Sequence, residues 1–341
     1  MQTYKVDLSE QNEVYENEPQ NINEQNIKVK RNIKAAGLFV ASLFFVVVTV
    51  CVAVIGCNYI VNRNFRETFY NVSSLKVDNK IRIIQISDLH SCSFGKENYK
   101  LIDRVKKLKP DVILYTGDCF DSKDKSEEEI VSLCKELAPV APSYYIYGNN
   151  EVERLYDIPL IQEELDKKYG YGDEREPQKL LEEKDLFEET LEKTGVEVLK
   201  NECDTITVGS TNIDVFGVLT SNPSSFWTYA GETFNDYAYK NTHNLKITAI
   251  HEPFVFEEYE YEFWGDVIVC GHTHGGTVRL PVLGPLYTHE GGLFPERNGD
   301  FVYGRYSVSG KPMIVSSGME SNNLLRINNQ PELVIIDVNR F

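Results

Sequence analysis

Five apolar runs in this chain end in a side chain that can bind a metal ion or a phosphate. Ile81–Ile86 leads into Ser87-Asp88-Leu89-His90, and Val112–Tyr115 leads into Thr116-Gly117-Asp118. Tyr144–Tyr147 leads into Gly148-Asn149-Asn150-Glu151, and Ile247–Ile250 into His251-Glu252-Pro253. Val267–Cys270 leads into Gly271-His272-Thr273-His274-Gly275-Gly276. Short runs rich in Val and Ile read as buried strands. Between the first three strands lie apolar residues at helical spacing. They are Leu101, Ile102, Val105 and Leu108, then Ile130, Cys134 and Leu137 behind the capping-box pattern Ser126-Glu127-Glu128-Glu129. Alternating strands and helices predict an α/β layered fold. Ligands in such folds gather beyond the carboxyl ends of the strands. The pattern therefore predicts one edge bearing Asp88, His90, Asp118, Asn149, His251, His272 and His274.

Four of the chain's six histidines belong to this set. Imidazole combined with carboxylate oxygen suits manganese, iron or zinc better than calcium. Seven ligands are too many for one ion. They suit two divalent cations about 4 Å apart, joined by one carboxylate. Asp118, from a central strand, is the natural bridge. Such a pair polarises a phosphoryl oxygen and makes hydroxide available near neutral pH. Taken singly, each motif also reads as a polar turn after a strand.

The ends carry a different message. Residues 1–34 are polar and read as a disordered tail. Ala35 to Val61 carries no charge and is long enough to cross roughly 30 Å of hydrocarbon as a helix. Lys28, Lys30, Arg31 and Lys34 precede it, against Arg63 and Arg66 after it. The heavier basic flank predicts a cytoplasmic N-terminus and an extracellular remainder. Val54-Ile55-Gly56-Cys57 also resembles a lipoprotein cleavage box, which leaves lipidation at Cys57 as an alternative. Cys92, Cys119, Cys134, Cys203 and Cys270 form no disulfide framework, and this sits awkwardly with an oxidising exterior. The net charge of −17 argues against nucleic acid as a partner.

After a linker at 62–79, one domain is expected over 80–341. Residues 151–204 hold 18 acidic against 8 basic residues and read as an acidic helical insertion, either solvated or acting as a lid. The terminal run Leu333–Val338 is expected to complete a second sheet. Glu252 could support the metals or simply form a turn, and Arg279 could contact phosphate. His243 and His289 read as surface residues, and the aromatic residues between Phe254 and Trp264 as packing.

Together, Asp88-Leu89-His90, Gly117-Asp118, Gly148-Asn149, His251 and Gly271-His272-Thr273-His274 resemble the five blocks of the calcineurin-like metallophosphoesterases. Residues 275–281 and 326–332 resemble its membrane-associated bacterial phosphodiesterase branch. The resemblance implies a four-layer α/β/β/α sandwich preceded here by one transmembrane helix. It implies one cation on Asp88, His90, Asp118 and His274, and another on Asp118, Asn149, His251 and His272. Manganese is the expected metal, with iron or zinc as alternatives. The family pattern has a His directly after the ligand Asn, acting on the leaving-group oxygen. Asn150 stands there instead and cannot serve as a general acid. That departure favours phosphodiesters or pyrophosphates over alkyl phosphomonoesters. The expected partner is a phosphorylated small molecule or a lipid-linked phosphate. The alternative function is a catalytically impaired surface sensor or scaffold for phosphorylated ligands.

Overall fold

A computed structural model of the chain describes residues 9–121, 127–155, 185–219, 231–254, 256, 265–288, 291–321 and 326–341. It divides into two units, 1–57 and 58–341. The first unit is formed by most of one helix, α1 (Ser9–Asn62). Its uncharged stretch reaches a mean hydropathy of 3.0 and is not buried within the chain. The hydroxyls of Ser42 and Thr49 donate to the carbonyls of Phe39 and Phe45 on their own helix. The helix therefore satisfies these two hydroxyls by itself. The polar stretch expected to lack structure is helical from Ser9. Its Glu, Gln and Lys residues are competent helix formers, and an established helix propagates more easily than it nucleates.

The second unit is built on two six-stranded sheets. The first sheet contains β1 (Arg66–Ser74), β2 (Ile81–Ile86), β3 (Val112–Thr116), β4 (Ser143–Ile146) and β5 (Val196–Val198). The second contains β6 (Glu202–Val208), β7 (Thr211–Val218), β8 (Leu245–Ile250), β9 (Val267–Cys270), β10 (Gly304–Val308) and β11 (Lys311–Val315). The last strand, β12 (Glu332–Arg340), joins the first sheet between β1 and β2. The sheets pack face to face through Ile83, Leu114, Ile146, Val215, Val269 and Ile336, all buried. The helices α2 (Tyr99–Leu108), α3 (Glu128–Leu137) and α5 (Leu186–Glu192) cover the outer face of the first sheet. A short helix, α4 (Asn149–Leu155), follows β4. The helix α6 (Gly231–Tyr239) covers the second sheet through Phe234 and Tyr237 against Phe216. The four layers are α/β/β/α, as the resemblance implied.

Two expectations change. Residues 66–74, read as linker, form β1 in parallel register with β12, Arg66 opposite Glu332 and Ser74 opposite Arg340. Its alternating Thr, Tyr, Val and polar residues leave it mostly half-exposed, as suits an edge strand, so no apolar run announces it. The terminal run completes the first sheet instead of the second, because β12 pairs antiparallel with β2, Val334 opposite Gln85. Burial of both faces goes with the unbroken apolar run Leu333–Ile336 in β12, and such a run carries no signal of which sheet it enters. The proposed cap at Ser126, most of the insertion, the aromatic stretch after Phe254 apart from Phe256, and His289 lie outside the described residues.

The inter-sheet layer predicts a sharp contrast in stability. Leu114→Ala removes a fully buried side chain and should cost about 2–5 kcal/mol. Leu75→Ala, at an exposed position, should change stability by no more than about 0.5 kcal/mol. Denaturant unfolding of both variants measures the difference.

Candidate metal centre

The carboxyl ends of β2, β3, β4, β8 and β9 come together along one edge. The seven expected side chains fall into neighbouring groups there. Asp88, His90 and His274 form one trio of potential ligands, and Asp118, His251 and His272 form a second. In the first, His90 Nε2 lies 3.2 Å from His274 Nε2, and His274 Nε2 lies 3.9 Å from Asp88 Oδ1. In the second, His272 Nδ1 lies 3.2 Å from His251 Nε2 and 3.0 Å from Asn149 Oδ1. Asp118 Oδ2 touches both trios, at 3.3 Å from His251 Nε2 and 3.9 Å from His90 Nε2.

The partners of the outer ring nitrogens decide what the inner ones offer. His251 Nδ1 faces the Thr116 carbonyl at 2.7 Å. A carbonyl only accepts, so Nδ1 carries the proton and Nε2 presents a lone pair. His90 Nδ1 lies 2.6 Å from Asp121 Oδ1, which imposes the same tautomer on the neutral ring. His274 Nδ1 lies 3.3 Å from Glu320 Oε2. These arrangements turn nitrogen lone pairs toward one another and toward carboxylate oxygens. Asp88 Oδ2 is buried without a hydrogen-bond partner. Only a proton or a cation satisfies such a convergence. Neutral imidazoles oriented from behind by carboxylates or carbonyls are a recurrent form of metal ligand.

The electrostatics agree. Burial opposes a charge on His90, yet the hydrogen bond to Asp121 and the charges of Asp118, Asp88 and Glu320 push it up to about 9. His251 is likewise raised well above the usual imidazole value against its burial, chiefly by Asp118. Burial also disfavours ionised Asp118, but His251, His90 and the Asn150 N–H hold it far below the ordinary carboxylate value. Glu320 is lowered to about 2, its burial outweighed by its contact with His274 and by the nearby His90 and Arg326. The edge is built to hold positive charge.

The backbone is strained to aim these groups. Asp88, His90, Asp118, His272 and His274 all have positive φ, between 45° and 72°. Non-glycine residues rarely adopt this conformation, and such strain clusters at functional sites. Glu151 holds part of it in place. Its fully buried carboxylate accepts the N–H groups of Asp118, Cys119 and Gly148 and the hydroxyl of Tyr145. Burial and the adjacent Asp118 charge raise its pKa, but four donors fill its acceptor sites, so these contacts hold the anion. Gly148 is required beside it, because a Cβ there would meet Asp118 Oδ1 at 2.3 Å.

Asn150 donates twice to the Asp118 carboxylate, from its N–H to Oδ1 at 2.9 Å and from Nδ2 to Oδ2 at 2.7 Å. In this geometry it orients Asp118. Arg279 is committed elsewhere: it donates to the Gly275 carbonyl at 3.0 Å and lies over the Tyr303 ring. Sequence reasoning gave no role to Asp121, Glu151, Glu320 or Asn329, which donates to the His274 carbonyl at 2.6 Å. Their one visible signal is position. Asp121 and Glu151 fall within three residues of an expected ligand.

The family model for calcineurin-like phosphoesterases matches residues 81–276. The chain belongs to this family of dinuclear metal-dependent phosphoesterases. This calcineurin-like chain is 26% identical over 264 residues to phosphodiesterase YaeI of Escherichia coli (strain K12), covering 75% of this chain and 82% of that one. It is 22% identical over 286 residues to the uncharacterized metallophosphoesterase YkoQ of Bacillus subtilis (strain 168), covering 81% and 92%. Among solved structures it is similar to the phosphopantetheinyl hydrolase PptH of Mycobacterium tuberculosis, with 13% identity, a TM-score of 0.39 and coverage of 72% and 92%.

Protons and metal should compete at this calcineurin-like edge. His90, raised to about 9, is protonated at pH 7 in the metal-free chain, and an imidazolium cannot ligate. Metal uptake should therefore release protons, and apparent affinity should rise with pH until about 9. Titration calorimetry of Mn²⁺ into chelator-treated protein, in buffers of different ionisation enthalpy, measures this. Affinity that is flat across this range, with no proton release, would contradict it.

Proposed function

We propose that this chain is a membrane-anchored phosphoesterase that uses a pair of divalent cations to cleave phosphodiester or pyrophosphate bonds. The observation that carries the reading is Asp118, whose one carboxylate oxygen lies within 4 Å of a histidine from each trio. Asp88, His90, Asp118 and His274 would hold one cation, and Asp118, Asn149, His251 and His272 the other. Manganese suits the mixed imidazole and oxygen donors, with iron or zinc as alternatives. Bound there, the cations supply Lewis acidity to a phosphoryl group and lower the pKa of water.

The chain's own contribution is orientation. Asp121 and the Thr116 carbonyl set the tautomers of His90 and His251, and Glu320 lies 3.3 Å from the His274 ring. Glu151 and Asn150 fix the bridging carboxylate. Asn150 offers a neutral amide where the family pattern has an acid, so it delivers no proton to a leaving group. Substrates with stable leaving groups are thereby favoured over alkyl monoesters. The likeness to a protein named as a phosphodiesterase supports this choice.

The uncharged span of α1 and its basic N-terminal flank support a single-pass anchor with a cytoplasmic N-terminus and an external catalytic unit. The free thiols fit an exterior better than their number suggests. Cys92, Cys119, Cys134 and Cys270 are buried, and burial raises Cys119, Cys134 and Cys270 well above the ordinary thiol pKa. Buried, protonated thiols resist oxidation.

A second reading, a surface sensor for phosphorylated ligands, draws on the same commitment of Asn150 to Asp118. Turnover separates the two. Chelator-treated protein should lose hydrolysis of bis-p-nitrophenyl phosphate and regain it with Mn²⁺, and Asn150→His should raise the rate on alkyl phosphomonoesters. Tight substrate binding at full metal load without product would support the sensor and contradict the enzyme.

A further inference from the structure

The last turn of α1, Asn58–Asn62, belongs to the catalytic unit, and it is bound to one short segment. Asn62 Nδ2 donates to the Arg326 carbonyl at 2.9 Å, the Asn328 N–H to Asn58 Oδ1 at 3.2 Å, and Gln330 Nε2 to the Asn64 carbonyl at 3.2 Å. Residues 326–330 also support the candidate metal centre, since Asn329 holds the His274 carbonyl. The strand that follows α1 gives the direction. Arg66 opens β1 opposite Glu332, and Val334 lies opposite Gln85, three residues before Asp88. β1 then runs to Ser74, opposite Arg340. At about 3.3 Å per residue, its nine residues span close to 30 Å. The chain therefore enters the catalytic unit at the pole bearing the metal ligands and reaches Leu75 at the opposite pole.

The same segment carries an apolar projection. The Arg279 N–H donates to the Ile327 carbonyl at 3.0 Å, and Asn328 Nδ2 donates to the Arg279 carbonyl at 3.1 Å. From there Arg279–Leu280 pairs with Gly284–Pro285 in a tight ribbon. Its tip is Pro281-Val282-Leu283, and no charged residue occurs between Leu280 and Thr288. Val282 is fully exposed, and Leu283 and, beyond the ribbon, Leu293 are also exposed. Val282 has φ 69°, a costly backbone state for a β-branched residue. Water rewards neither the strain nor the exposure.

We propose that this tip inserts into the surface of the bilayer that α1 leaves, so that the metal-bearing pole faces the headgroup layer. The occupant is the lipid surface itself, and the substrate class is a phosphate ester held in that layer. The apolar tip supplies shallow insertion, and Arg297, exposed beside Phe294, suits the anionic headgroup level. This inference rests on the anchor and phosphoesterase readings above.

The test uses the full chain in phosphatidylcholine–phosphatidylglycerol vesicles. Flotation of the chain with vesicles after alkaline wash reports the anchor, and hydrolysis of bis-p-nitrophenyl phosphate reports the centre. Val282→Trp is then compared with Leu75→Trp for quenching by brominated lipid above the wild-type tryptophan background. Quenching of the first and not the second is expected. The pair Val282→Asp with Leu283→Asp should leave the soluble diester rate unchanged. It should lower the rate on a vesicle-held phosphate ester about tenfold or more, since two apolar insertions are lost. If the chain floats and cleaves the soluble diester but both tryptophans are equally shielded from lipid, the membrane-facing pole is wrong while the other readings stand. If the chain does not float, the anchor reading fails and this inference falls with it. If it floats and the tip is quenched but the soluble diester is not cleaved, the phosphoesterase reading fails. The docking surface then stands, but not its substrate class.

Discussion

The organisation of the catalytic unit depends on one buried carboxylate. Asp118 is nearly inaccessible, ionised, and within reach of histidines from two separate groups. A buried charge is tolerated only when it is paired and hydrogen-bonded. Here the N–H and amide of Asn150 hold both of its oxygens, and the imidazoles provide the opposing field. The strands deliver these groups from five places in the chain because their carboxyl ends share an edge. The two sheets packed face to face keep that edge in register.

Around the carboxylate, rigidity is supplied by other buried charges. Glu151 gathers three backbone N–H groups from the ends of β3 and β4. Glu332 accepts the N–H and hydroxyl of Ser317, while Arg326 donates to the carbonyls of Ser317 and Gly318. The turn between them lies against Asp88, whose own carbonyl accepts from Met319 at 3.1 Å. Five candidate ligands keep a disfavoured backbone conformation because these contacts over-determine it. The strain and its supports belong to one device, which aims side chains before any cation arrives. That preorganisation is what electrostatic catalysis requires.

The seven ligand candidates were legible because each follows an apolar run, and only a strand end explains that combination. The layered fold followed from the alternation of those runs with helical spacing. The supports were less legible for a physical reason. Glu151 looks like an acid in the first turn of a helix, and its role depends on the backbone N–H groups of Asp118 and Cys119, just beyond the end of β3. Asp121 and Glu320 look like surface acids until their histidines are placed. β1 hid among polar residues because an edge strand needs little apolar surface. β12 was visible as a strand, but a run buried on both faces does not name its neighbours. The resemblance supplied what the spacing left open, above all the division of seven ligands between two ions.

The central claim is that Asp118 joins two cation sites that neither trio sustains alone. Metal content measured by inductively coupled plasma spectrometry tests it most directly, on full-length protein and on Asp118→Ala shown to be folded by circular dichroism. The account predicts about two divalent ions per wild-type chain and well below one in the variant. Retention of a full single ion after loss of Asp118, or no metal in the wild-type chain after Mn²⁺ loading, would contradict it.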